Sequence, residues 1–259
     1  MYVLNDLIKM GFDNIISKFE ERGDGIIFKA KPKNYIKKEF KHKKDSSVLY
    51  AIVPPWHTEP KLSSILNKNI FKNRGSYIDY VFSPEIVSIY PDITKRCYET
   101  IKKTVRADLK KLAKKYSFSK IVIIGISLGC VNACMIANNN PLIKKIILIA
   151  PGHCLAESLW NGVRTRRLKQ EIEKKGINLE KLKKAWKRLA PENNIAGLKG
   201  KDIYVYLSKA DEAIPYYGGK SLVESMKKKG LNPFVETNRY LGHYLTVLRF
   251  MFFPKKFLK

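Results

Sequence analysis

The chain has 259 residues, 45 % of them hydrophobic and 28 % charged, which suits one globular α/β domain with a buried core. This composition excludes a collagen, a coiled coil and a disordered chain. Lysine and arginine number 50 against 23 acidic residues, so the formal net charge is +27.

The first predicted elements are a short helix and a basic hairpin. Apolar residues recur at helical spacing from Leu4 to Phe19. Residues 25–31 and 37–41 are predicted edge strands of the hairpin. No positively charged segment followed by an apolar run begins the sequence, so we expect no secretory signal peptide.

The densest run of positive charge is residues 29–44, and its one acidic residue is Glu39. Such a field attracts nucleic acid, acidic lipid or acidic substrates. Lysine outnumbers arginine, and arginine is the residue whose planar fork binds phosphate at two points. The pattern therefore favours a compositional bias over nucleic-acid binding, with weak association with an anionic membrane surface as the remaining partner hypothesis.

Strands and helices alternate from residue 47 onward. Asp92 is the predicted N-cap of a long helix that ends near Tyr116. The alternation predicts a mostly parallel central sheet with right-handed crossovers and helices on both faces. The predicted strands are residues 47–53, 76–82, 120–125 (the central one), 145–150, 202–207 and 233–237, and the other helices are residues 61–72, 128–138 and a helix after His243.

One stretch, about residues 152–198, interrupts this alternation. It is polar, rich in lysine and helical in pattern, and it is too long for a plain connection. We interpret it as a small helical cap or insertion within a single domain that spans residues 1–259.

A lone serine stands where the central strand gives way to a helix. Ser127 is the centre of "GISLG", and Gly125 and Gly129 allow a sharp turn there. The pentapeptide fits the G-x-S-x-G nucleophile elbow, in which free N–H groups of the following helix surround the hydroxyl. The alternative is a structural serine in a tight strand-to-helix turn.

A serine nucleophile needs a base and an acid, and in this topology the acid follows the serine along the chain. Only two aspartates follow Ser127. Asp202 opens a strand and so lies at the wrong edge of the sheet, whereas Asp211 comes just after that strand ends. Asp211 is the predicted acid, and Glu212 is the alternative.

The base is expected last in the chain. His243 follows the last predicted strand, in "RYLGHYL", whereas His42 lies in the lysine run. We predict that His243 takes the proton of Ser127 and returns it to the leaving group, and that Asp211 orients the imidazole.

An oxyanion hole needs two donors. The loop after strand 47–53 reads "PPWHTEP", and prolines have no N–H, so the backbone N–H groups of Trp56 and Leu128 are the predicted pair. Candidate substrate contacts are His57, Trp160, Tyr216 and Tyr217.

The four cysteines predict neither a disulfide framework nor a metal site. Cys130 and Cys134 lie one helical turn apart, no C-x-x-C pair occurs, and no histidine stands at ligand spacing near them. We expect no metal and no cofactor. Unpaired cysteines, together with the lack of an eighteen-residue apolar window, predict a cytoplasmic protein.

Over roughly residues 48–253 the sequence resembles the α/β-hydrolase superfamily. The similarity rests on "IVIIGISLG", on "IYVYLSKADEAIP" with "WKRLAPENN" before it, and on "YLGHYL". It implies an eight-stranded, mostly parallel sheet, a cap and cofactor-free hydrolysis. Two features depart from the family: the oxyanion loop lacks the His-Gly of many esterases, and Cys130 follows Gly129.

The sequence thus predicts a serine hydrolase that cleaves a carboxylic ester or thioester of a small acyl substrate through an acyl-enzyme. The alternatives are a peptidase or amidase of the same fold, and a non-catalytic binding protein. A peripheral lipase, whose last helix ("YLTVLRFMFFPKKFLK") touches acidic lipid, is a fourth hypothesis.

Overall fold

The structure is a computed structural model that describes residues 36–56, 75–162 and 165–252. The predicted helix between Leu4 and Phe19, the strand at 25–31, the helix at 61–72 and His57 lie outside the described residues. The strands are β1 (Ile36–Lys41), β2 (Val48–Val53), β3 (Ser76–Phe82), β4 (Lys120–Ile126), β5 (Ile143–Ile149), β6 (Asp202–Ser208) and β7 (Phe234–Asn238).

These strands form one seven-stranded sheet in the order β1-β3-β2-β4-β5-β6-β7. β1 runs antiparallel to β3 at the edge, and every other pair is parallel. The mostly parallel α/β architecture is confirmed, although the described residues form seven strands against the eight that the resemblance implies. Because the strands from β2 to β7 are parallel, their carboxyl ends share one edge of the sheet, where this class of fold gathers its functional groups.

The strand sequences are apolar on both faces because both faces are covered. Ala51 and Ile123 belong to the larger core cluster, whereas their neighbours Ile52 and Ile124 belong to a second cluster on the other face. Such runs of β-branched residues are typical of parallel strands buried on both sides.

The helices are α1 (Pro91–Tyr116), α2 (Gly129–Ala137), α3 (Leu155–Asn161), α4 (Arg166–Lys174), α5 (Leu179–Trp186), α6 (Tyr216–Lys228) and α7 (His243–Phe252).

The predicted strand bounds agree with the structure to within two residues, but the predicted N-cap is wrong. Tyr90, not Asp92, is the cap of α1, in an extended conformation and with no side-chain hydrogen bond to the helix. The reason is Pro91, whose fixed φ angle and missing N–H suit the first helical position and move the helix start upstream. Asp92 lies in the first turn, where its negative charge interacts favourably with the helix dipole.

The segment at 152–198 contains α3, α4, α5 and two 3-10 turns, Pro191–Asn194 and Ala196–Leu198. Its anchor is Trp186, which is buried and donates a hydrogen bond from Nε1 to the Pro91 carbonyl at 3.0 Å. Trp186 and Leu182 belong to the same core cluster as the sheet. That the segment acts as a cap over a site stays a prediction.

Among the described residues, no helix combines the length and the apolar character that crossing a membrane requires.

Candidate active site

The turn between β4 and α2 holds Ser127 in a left-handed backbone conformation. Its φ angle is +54°, and its N–H donates to the Ile149 carbonyl at the end of β5, at 2.8 Å. Non-glycine residues rarely adopt such angles, and they keep them only where the surroundings enforce them. The turn places Ser127 at the carboxyl edge of the central strand.

The two glycines that flank Ser127 are required by close packing. A Cβ atom on Gly125 would lie 2.7 Å from Ala133 Cβ, and one on Gly129 would lie 2.3 Å from the Val53 carbonyl oxygen. Helix α2 therefore approaches both its own strand and β2 more closely than any side chain allows. Its sequence of small and apolar residues suits this position, because all nine residues from Gly129 to Ala137 are buried.

A continuous chain of hydrogen bonds joins Ser127, His243 and Asp211. His243 Nε2 lies 2.9 Å from Ser127 Oγ, and His243 Nδ1 lies 2.8 Å from Asp211 Oδ2. The distances fit an imidazole that donates from Nδ1 to the carboxylate and accepts the serine proton at Nε2. All three side chains are buried, with Asp211 3 % and His243 6 % exposed.

Asp211 is held by the backbone of its own loop. Its second carboxylate oxygen, Oδ1, accepts hydrogen bonds from the N–H groups of Ala213 at 3.0 Å and Ile214 at 2.8 Å. These bonds orient the carboxylate and stabilise its charge. Asp202, at the opposite end of the same strand, is 62 % exposed and lies 4.0 Å from Lys120 Nζ.

Glu212, the alternative acid, has a different place in the site. Its Oε2 accepts the backbone N–H of His243 at 3.0 Å, so it holds the main chain at the start of α7. A Cβ on Gly242 would lie 2.9 Å from that same oxygen, which explains the glycine before the histidine. Sequence reasoning missed this role because a contact with the His243 main chain depends on how two distant loops meet.

Sequence reasoning also missed Asn238, the last residue of β7. Its amide donates to the Leu207 carbonyl and to Thr246 Oγ1, both at 3.1 Å, and its Oδ1 accepts the Leu241 N–H at 2.9 Å. Asn238 thereby ties the loop before His243 to β6 and α7. An asparagine between a strand and a glycine-containing loop is a typical turn residue, and that pattern could have identified it.

The two predicted oxyanion donors lie on one pocket. Leu128 directly precedes α2, and Trp56 follows β2; both residues line the pocket. The Trp56 indole Nε1 donates to the Pro84 carbonyl at 2.8 Å, which fixes the ring. That their backbone N–H groups bind an oxyanion stays a prediction.

The comparisons with known proteins found similarity in structure only: no family model matches the sequence, and no curated protein matches it. The apo form of Thermogutta terrifontis esterase 2 is 18 % identical, with a TM-score of 0.58 over 86 % of this chain and 88 % of the esterase. A sugar hydrolase from Lactococcus lactis is 12 % identical, with a TM-score of 0.65 over 88 % of this chain and 95 % of that one. The chain has the α/β-hydrolase fold.

A third similar structure with the α/β-hydrolase fold is an acylaminoacyl peptidase from Pyrococcus horikoshii. It is 13 % identical, has a TM-score of 0.58, and is matched over 82 % of this chain and 36 % of its own length. Two further structures of the Thermogutta esterase, one with propionate and one with butyrate bound, match with a TM-score of 0.56 each. Identities this low carry the fold and not the substrate.

Three of the predicted substrate contacts, Trp160, Tyr216 and Tyr217, lie within the described residues. Trp160 lies in α3, and Lys169 Nζ lies 5.1 Å from the centre of its ring. Tyr216 begins α6 and packs against the main core, and the next residue, Tyr217, is 51 % exposed and accepts a hydrogen bond from Asn161. Contact of these side chains with a substrate stays a prediction.

The thiols near the elbow are buried. Burial raises the pKa of Cys134 to about 12 and raises the pKa of Cys130 well above the ordinary thiol value. Thiols in this state are protonated at neutral pH and are poor nucleophiles. Over the described ranges, no group of three or more histidine, cysteine or acidic side chains has the arrangement of a metal site.

Proposed function

We propose that the protein is a serine hydrolase that cleaves carboxylic esters or thioesters. The observation that carries this proposal is the buried hydrogen-bond chain from Asp211 through His243 to Ser127, because it links a carboxylate, an imidazole and a hydroxyl in the geometry of a proton relay. A non-catalytic protein has no need to keep this chain buried at a strained turn.

In the first half of the proposed reaction, Ser127 Oγ attacks the carbonyl carbon while its proton passes to His243 Nε2. The tetrahedral intermediate collapses, the bond to the leaving group breaks, and His243 returns the proton to the departing alcohol or thiol. The product on the enzyme is an ester between Ser127 and the acyl group.

In the second half, a water molecule attacks the acyl-enzyme and gives one proton to His243. The intermediate expels Ser127 Oγ, which takes that proton back, and the carboxylic acid leaves. The N–H groups of Leu128 and Trp56 stabilise the oxyanion in both halves, and one such donor is worth about 3 kcal/mol in the transition state. Asp211 keeps the imidazole in the tautomer that accepts at Nε2 and stabilises the imidazolium.

Two considerations support short-chain esters as substrates. The Thermogutta esterase, which shares the fold, binds propionate and butyrate. The pocket beside Leu128 and Trp56 is small and lined mostly by apolar side chains, so it suits a short acyl group better than a long one. We therefore propose short-chain esters or thioesters as the substrate class.

The direct test treats the full-length protein with a fluorophosphonate probe and locates the adduct by mass spectrometry. We expect labelling at Ser127, no labelling in Ser127→Ala, and strong loss of labelling in His243→Ala. Ser158→Ala is the matched control, because this half-buried serine lies outside the relay and its loss should leave the labelling unchanged. A protein that is unlabelled and inactive on short acyl esters would contradict the proposal.

A further inference from the structure

The candidate acid and base lie on two different loops, and one buried hydroxyl contacts both loops. Asp211 follows β6 and His243 follows β7, so their hydrogen bond joins the ends of two separate strands. Ser208 is the last residue of β6 and pairs with Asn238, the last residue of β7. Its side chain is buried, with the residue 2 % exposed, at the point from which the two loops diverge.

On the side of the acid, the Ser208 hydroxyl holds the start of the loop. Its oxygen accepts a hydrogen bond from the backbone N–H of Ala210 at 3.2 Å. A serine that binds the main chain two residues later closes a short turn, and Ala210 directly precedes Asp211. Ser208 therefore fixes the main chain next to the candidate acid.

On the side of the base, the same hydroxyl has two acceptors within reach. They are the Leu241 carbonyl and Asn238 Oδ1, the second at 3.0 Å. A hydroxyl has one proton, so it donates to one acceptor at a time. Leu241 lies two residues before His243, and its own N–H donates to Asn238 Oδ1. With either acceptor, Ser208 is tied to the loop that carries the imidazole.

The relay depends on how closely these two loops are held together. When the imidazole takes the serine proton it becomes positively charged, and the Asp211 carboxylate has to stay within hydrogen-bond distance of it. A displacement of about 1 Å in a catalytic group can cost about a hundredfold in rate. Glu212 makes one contact between the loops, at the His243 N–H, and Ser208 makes another at the ends of the strands.

We propose that Ser208 is a positioning residue that sets the hydrogen bond between Asp211 and His243. The inference rests on the proposed hydrolase function. Among the described residues, the hydroxyl's hydrogen-bond partners are Ala210, Asn238 and Leu241. Ser208 therefore acts on the relay through the two loops and not by touching the reacting groups.

The test replaces Ser208 by alanine in the full-length protein and measures kcat and KM on p-nitrophenyl butyrate. We expect kcat to fall about 10- to 100-fold while KM changes by less than about twofold, because the relay is displaced and the acyl pocket is untouched. The fold should survive, because Thr246 Oγ1 also donates to the Leu241 carbonyl, at 3.3 Å, and remains. Ser208→Thr keeps the hydroxyl and should restore most of kcat.

A double-mutant cycle separates positioning from a general role in the fold. An effect that acts through the Asp211–His243 bond disappears once that bond is altered. Ser208→Ala should therefore lower kcat by less than about twofold in the Asp211→Asn background. If Ser208→Ala does not fold, Ser208→Cys takes its place in the cycle, because a thiol is a weak hydrogen-bond donor.

Ser76→Ala is the matched control. Ser76 is also a fully buried serine at the end of a strand, and its hydroxyl also accepts a backbone N–H, that of Lys43, at 3.0 Å. It begins β3, at the amino edge of the sheet and away from the relay. Its loss should leave kcat unchanged.

The outcomes are distinct. An unchanged kcat in Ser208→Ala, with Ser127 still labelled by the fluorophosphonate, would overturn the inference and leave the hydrolase proposal intact. Equal losses of kcat in the parent and Asp211→Asn backgrounds would also overturn it, because Ser208 would then act elsewhere than on the Asp211–His243 bond. A parent protein that is neither labelled nor active on any short ester would refute the hydrolase proposal itself.

Discussion

At the scale of single residues, the candidate site depends on one strained backbone conformation. Ser127 has a positive φ angle in a residue type that avoids it, and such strain persists only where neighbours compensate. Two hydrogen bonds compensate for this strain. The Ser127 N–H donates to the Ile149 carbonyl at 2.8 Å, and the Cys130 N–H donates to the Ser127 carbonyl at 2.9 Å.

Replacing Asp211 by asparagine tests the role of the acid. The amide of Asp211→Asn would donate to His243 Nδ1 and so favour the tautomer protonated at Nε2, which cannot accept the serine proton. We expect kcat to fall by about ten-thousandfold, measured on short acyl esters, with the fold retained. Asp202→Asn is the matched control, since this exposed side chain lies at the other edge of the sheet. Equal losses in the two variants would mean that the acid is wrongly assigned.

The buried thiols lead to a pH-dependent prediction. Because burial raises the pKa of Cys97 to about 11 and that of Cys134 to about 12, these groups stay protonated through neutral and mildly alkaline pH. We expect iodoacetamide at pH 8 to leave esterase activity and the folded protein's mass unchanged, and to alkylate all four cysteines in denaturant. Rapid alkylation of native Cys130 or Cys134 would contradict the burial on which this prediction rests.

At the scale of elements, the site is built where α2 meets the end of β2. Gly129 touches the backbone of β2 directly, so the helix start and the loop that carries Trp56 are set at a fixed distance. This contact couples the two predicted oxyanion donors, one on each element. Pro54 and Pro55 have no N–H and so cannot be oxyanion donors, and their fixed φ angles also stiffen the loop.

Gly129→Ala should damage both stability and activity. The added Cβ would lie 2.3 Å from the Val53 oxygen and 2.4 Å from the Pro54 oxygen, and neither backbone atom can yield without moving β2. We expect a loss of about 1–3 kcal/mol in the free energy of unfolding, measured in urea.

Gly218→Ala is the matched control for that substitution. Its Cβ would meet no atom closer than 3.5 Å, and alanine favours a helix over glycine by about 1 kcal/mol, so stability should hold or rise. Activity on short esters should fall only in Gly129→Ala. A Gly129→Ala protein as stable and active as its parent would contradict the close approach.

At the scale of the whole molecule, the segment at 152–198 and the sheet share one core. Leu168, Ile172 and Trp186 are buried in the same cluster as the strands, so the segment has no separate core of its own. The net charge of +27 belongs to this scale as well, and weak association with an anionic membrane surface stays a prediction.

The shared core predicts a single cooperative unfolding transition. Two of the three tryptophans, Trp160 and Trp186, lie in the segment, so the selectively excited tryptophan fluorescence of a Trp56→Phe variant reports on it alone. We expect this fluorescence and the far-UV circular dichroism of the whole chain to change together in urea, as a two-state domain requires. A fluorescence transition at lower urea than the dichroism transition would indicate a segment that unfolds by itself.

The sequence by itself determined the strand pattern, the elbow around Ser127 and the order in which the candidate acid and base, Asp211 and His243, follow it. These features are local: apolar periodicity, glycines at a turn and a residue's position after a strand can each be recognised within a few residues. The predicted N-cap of α1, Asp92, was wrong because Pro91, one position earlier, favours the first helical position and so makes Tyr90 the cap.

The order of the candidates along the chain predicted that Ser127, His243 and Asp211 meet, but only the tertiary structure decided the contacts themselves. The Ser127–His243 and His243–Asp211 hydrogen bonds join residues that lie 116 and 32 positions apart. The contact of Glu212 with the His243 backbone is invisible in any local pattern. Parallel strands bring distant loops to one edge, and the packing of whole elements then sets which side chains come within hydrogen-bond distance.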